Sequence, residues 1–162
     1  MGSVTTKTDF SEDEWQRVVR APMVAGLAIS LADPGGPIEA AKESMATLKS
    51  ATNPPTREQL LTEVALDVQA MAQARKNPLG GYRPTKGENP GEQVLAELQA
   101  VQALVSEKAT AEEAKAFADW LVAAAQAAAD AAKEGGFMGF GAEQVSQGEQ
   151  QMIDRVRETV TA

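Results

Sequence analysis

The chain has 162 residues, a formal net charge of −8, and a hydrophobic fraction of 43% in which aromatic residues make up only 4% of the chain. A core of that make-up is built from Ala, Val, Leu, Ile and Met, which favours closely packed helices over a sandwich or barrel. There is no Cys and no His, which removes disulfides, thiolate nucleophiles, histidine acid–base chemistry and histidine-ligated metals, and the acidic balance without a Lys or Arg run disfavours nucleic acid and anionic lipid as partners.

Length alone argues for one domain. Residues 1–9 read as a flexible N-terminus, with no basic region followed by an apolar stretch, so a cytoplasmic location is expected. Ser11 and Glu14 have the spacing of a capping box, in which a hydroxyl and a carboxylate reciprocally satisfy the free amides of a helix start. The run that follows, "APMVAGLAISLA" from Ala21 to Ala32, has only Ser30 as a polar interruption. It is shorter than the about 20 residues that span a bilayer, so it reads as a central helix covered by its neighbours, with no stable membrane insertion. Pro22 either opens that helix or lies inside a longer one beginning near Glu12.

After the turn "DPGGP", Ile38, Ala41, Met45 and Leu48 form a stripe at helical spacing. "NPP" breaks the chain again, and Thr56 with Gln59 repeats the cap spacing ahead of Leu61, Val64, Val68 and Met71. Lys76–Gly91 is long and rich in Pro and Gly, and is expected to be a mobile loop. Val94, Leu98, Val101 and Val105 form the next stripe. Thr110 and Glu113 then cap a segment whose apolar face runs through Phe117, Trp120, Leu121, Ala124, Ala125, Ala128 and Ala132. Ser146 and Glu149 cap a last one bearing Met152, Ile153, Val156 and Val160. No segment alternates as a half-buried strand does. The expectation is therefore an all-α, single-domain bundle of six to seven helices over residues 10–162, arranged around the central apolar helix.

Two places hold candidate sites. In "KEGGFMGFGAEQVS" (Lys133–Ser146), glycines end one helix and Ser146 starts another. The loop lacks the Gly-Lys-Ser/Thr of a phosphate cradle. Its Phe137, Met138 and Phe140 either fold back over the helix ends or form an apolar patch for a partner protein or for self-association. Asp33, Glu134 and Glu143 stand beside glycine turns, where carboxylates can supply oxygen ligands to Ca²⁺ or Mg²⁺, although no EF-hand array is present.

The stretches "FSEDEWQRVVRAPMVAGLAISLADPGG" (Phe10–Gly36) and "WLVAAAQAAADAAKEGGFMGFGAEQVSQGE" (Trp120–Glu149) resemble a family of small bacterial helical proteins without assigned function. The resemblance is carried by Glu14, Trp15, Ala21, Pro22, Asp33, Pro34, Gly36, Lys133–Phe137, Gly139–Gly141, Val145, Ser146 and Glu149, about a third of the chain. More loosely, the two glycine turns are similar to those of the TerB-like tellurite-resistance fold. That similarity implies a stress-linked, divalent-metal-binding role for acidic turn residues such as Asp33. Taken together, the sequence predicts a non-catalytic interaction or structural protein that needs no cofactor, with the TerB-like metal binder as the alternative.

Overall fold

Ser11 and Glu14 begin the first helix as their spacing predicts. The Glu14 amide donates to Ser11 Oγ at 3.2 Å, and the Ser11 amide donates to Glu14 Oε1 at 2.8 Å. Glu12, Asp13 and Glu14 place negative charge at the positive end of the helix dipole. The computed structural model describes residues 4–32, 37–85, 89–134 and 147–161. Its helices are α1 (Glu12–Ala32), α2 (Pro37–Ala51), α3 (Gln59–Gln73), α4 (Pro90–Lys108), α5 (Ala111–Glu134) and α6 (Gln147–Thr161), with a 3-10 turn at Lys7–Asp9 ahead of them. Among the described residues there is no strand, and no helix is long and apolar enough to cross a membrane.

α1 runs through Pro22 as one helix. Proline deprives the preceding turn of one backbone hydrogen bond, and burial on all sides holds the helix together: Val18, Val24, Ala25, Ala28 and Ile29 are fully buried. α5 shares the centre, packing on α1, α2 and α6 through Phe117, Trp120, Leu121, Ala124, Ala125 and Ala128. The two rings meet edge to face, with centroids 6.2 Å apart, and Trp120 Nε1 donates to the Ser50 carbonyl at 2.8 Å. This bond satisfies the one polar atom that burying tryptophan would otherwise strand. The alanines on the same face let helices come close where larger side chains would hold them apart.

α1 and α2 approach closely where they cross. A Cβ added at Gly26 would lie 2.8 Å from Thr47 Cβ and nearer still to its Oγ1. Thr47 fits by turning its hydroxyl back onto its own helix, donating to the Glu43 carbonyl at 2.7 Å. This crossing overturns the expected inward stripe of α2. The buried positions are Glu43, Thr47 and Ala51, whereas Ile38 is 74% and Met45 72% exposed. A backbone this near to Gly26 accepts small or self-bonded side chains at its crossing point, and that choice rotates the larger apolar ones outward.

Two further boundaries differ from expectation. α3 begins at Gln59 with Glu58 as its N-cap and no side-chain cap bond. Thr56 and Gln59 therefore form no capping box, and Gln59 Nε2 instead donates to Glu63 at 3.2 Å. α4 begins within the segment expected to be loop. Asn89 Oδ1 accepts from the Gly91 and Glu92 amides at 3.1 and 3.3 Å, with Pro90 in the first turn, where its missing N–H costs nothing. Among the described side chains, the stripes of α3, α4, α5 and α6 are buried as their periodicity implied, Met71 only in part; Ala132 lies outside them.

Candidate functional site

The N-terminal segment, expected to be flexible, lies against the helices from Thr5 onward. The Thr5 amide and hydroxyl donate to the Glu113 carboxylate at 3.1 and 2.5 Å, the Lys7 amide donates to Glu63 at 3.0 Å, and Lys108 Nζ donates to the Asp9 carbonyl at 3.2 Å. Glu113 also receives the Thr110 amide at 2.9 Å as part of its cap. Burial pushes the Glu113 carboxyl up, but the hydrogen bonds from Thr5 and Thr110 outweigh it and hold the group below the ordinary 4.5.

This strap forms one rim of a groove of about 780 Å³ between α1, the second half of α3 and the turn after it. At its N-terminal end, Trp15 Nε1 and Lys7 Nζ both donate to Asp67, at 2.7 and 3.1 Å, so the charges there are matched. Phe10 and Trp15 pack with ring centroids 5.6 Å apart behind this end. Val19, Ala70, Met71 and Pro78 make the apolar wall.

The opposite end is built by a strained turn. Arg75 has φ of +60°, a left-handed conformation usually left to glycine. The reversal lets the Lys76 amide reach the Met71 carbonyl at 2.8 Å and turns the chain back along the groove. Asn77 Oδ1 accepts the Leu79 amide at 2.9 Å, and Gly80 and Gly81 take φ of +61° and +85° to bring Tyr82 beneath Arg20. The Arg20 guanidinium lies 5.3 Å from the Tyr82 ring centroid. Its neighbour Arg17 holds Glu97 with two bonds of 3.1 and 2.7 Å, and Arg20 touches the same carboxylate at 3.4 Å. Arg20 Nε is buried and has no hydrogen-bond partner among the described residues.

A second surface lies on the outer side of α2. Beside exposed Ile38 and Met45, half-buried Leu48 opens onto a cleft of about 440 Å³ that α2 shares with Gln69, Ala72 and Gln73 of α3. Lys42 and Lys49 are exposed on the same helix, and neither makes an ion pair among the described residues. The apolar spacing of α2 was legible in the sequence. Its direction was not, because that depends on the α1 crossing.

Asp33, Phe137, Met138, Phe140 and Glu143 lie outside the described residues, as does the cap residue Ser146. Glu134 closes α5, and its side chain is outside the description. Among the described residues, no three acidic side chains are placed to hold a metal ion. The groove was missed because its cations sit on three separate segments. The local signals were the "NPLGGY" turn and the unusual Trp15 near an otherwise polar helix start. Comparison with protein-family models, with curated proteins and with solved structures finds no match.

Proposed function

We propose that the protein is a non-catalytic interaction protein whose partner surface is the outer face of α2 with the adjoining cleft of α3. The observation that carries this reading is the inverted helix. Ile38 and Met45, 74% and 72% exposed, stand outward on an element whose buried face holds Glu43 and Thr47. Apolar side chains gathered on one exposed helix mark an interaction site more often than scattered ones do.

The charge around them defines the partner. On a chain of net charge −8, this face carries Lys42 and Lys49, which make no ion pair among the described residues. The fitting occupant is a helix of another protein with an apolar stripe flanked by carboxylates, laid into the cleft beside Met45 and Leu48. A second copy of the same face would bring lysines against lysines and is the poorer fit.

A photo-crosslinking amino acid at Ala41 tests the reading in native lysate. The expected result is a discrete adduct that disappears when Met45→Glu or the pair Lys42→Glu and Lys49→Glu is introduced. Adducts unchanged in both variants would reject this face. An adduct of twice the chain mass would assign it to self-association instead.

A further inference from the structure

We propose that the groove between α1 and α3 binds a small organic carboxylate with an apolar body, its carboxylate turned toward Arg20 and Lys76. The volume of about 780 Å³ lies within the range of small-molecule sites. The side chains of Val19, Ala70, Met71 and Pro78 offer no hydrogen bond and suit an acyl or aromatic body, while Thr8, Ser11 and Gln16 add polar groups elsewhere in the lining.

Polarity differs between the two ends. At the Lys7 end the cation is matched by Asp67, and Glu12 adds a further negative charge. That end repels an anion. At the other end, Glu97 is already held by the two short bonds of Arg17, leaving Arg20 one long contact of 3.4 Å for five N–H donors. Tyr82 covers the guanidinium and limits its rotation. Lys76 makes no ion pair among the described residues, and the left-handed Arg75 turns it to the groove. Two cations at the end of an apolar trough, one pre-oriented by stacking, form a receptor for one carboxylate.

The left-handed Arg75 ends α3 in a two-bond helix cap, Lys76 N–H to the Met71 carbonyl and Arg75 N–H to that of Ala72, and the segment that leaves it carries Lys76 and brings Tyr82 under Arg20. The inference does not depend on the α2 surface, and either can fail without the other.

Octanoate and octanol share a body and differ in charge, and both can be titrated against the full chain by calorimetry and by Trp15 fluorescence. Octanoate should saturate, and octanol should bind at least about tenfold more weakly. Lys76→Gln and Arg20→Gln should each weaken octanoate by about tenfold and leave octanol unchanged. Ala70→Phe, which fills the trough without touching a charge, should abolish both. The proposal is overturned if octanoate gives no saturable signal at millimolar concentration, if octanol binds equally well, or if Lys76→Gln binds octanoate as the native chain does. Lys76 is exposed, so that variant keeps the test valid should Arg20→Gln unfold.

Discussion

Single positions set the geometry of this bundle in three places. At Gly26 any side chain meets Thr47, so Gly26→Ala is expected to destabilise despite its better helix propensity. The propensity gain is about 1 kcal/mol, against about 1–3 kcal/mol for overpacking. Chemical denaturation of Gly26→Ala and of Gly26→Ala/Thr47→Ala checks this, the second variant recovering part of the loss because it removes Oγ1 and Cγ2 from the contact. Arg75 is the converse case, a residue whose φ of +60° suits glycine. Arg75→Gly should raise stability by about 0.5–1 kcal/mol in the same assay. Glu113 couples the strap to pH. Its carboxyl is held below 4.5, so its contribution is present above that value and declines as pH falls through the lower folded value. The stability gap between native chain and Glu113→Gln, about 1–3 kcal/mol near neutrality, should therefore narrow from about pH 4.5 downward and not between pH 6 and 8.

Whole elements show where sequence and structure part. Periodicity located α3 through α6 because their apolar faces meet other helices broadly, and any large aliphatic side chain serves there. α2 has an equally regular stripe, yet Ile38, Ala41 and Met45 face outward and only Leu48 turns partly to the core. Its orientation is set by one crossing point on another helix, and no local pattern encodes that. A paired mutagenesis experiment separates the two situations. Ile38→Ser with Met45→Ser should shift stability by no more than about 0.5 kcal/mol, whereas Leu61→Ala, fully buried on α3, should cost about 2–5 kcal/mol. Boundaries follow the same division. The reciprocal caps at Ser11 and Thr110 were legible because they are closed within four residues. The start of α3 was not legible, because Gln59 finds Glu63 as a competing partner.

For the molecule as a whole, composition proved the more informative level. Few aromatics and many alanines imply helices that approach closely, and the centre of the fold is such a place, with α1 and α5 joined through small side chains around Phe117 and Trp120. The groove was beyond the reach of the same reasoning. Lys7, Arg20 and Lys76 belong to three segments, and their relation exists only after the strap, α1 and the α3 turn have come together. An average charge of one sign likewise conceals local surfaces of the other sign, on α2 and at the Arg20 end of the groove.

The bonds from Thr5 to Glu113 join residues 108 positions apart. During synthesis Thr5 leaves the ribosome well before Glu113 exists, and its two bonds must wait until α5 has begun to emerge. Lys7, bonded to Glu63 and Asp67 of α3, has partners that are made earlier, so the strap closes from its α3 contacts toward Thr5. A nascent chain halted before Glu113 should be cleaved by protease near Thr5, and one extended beyond α5 should be protected there.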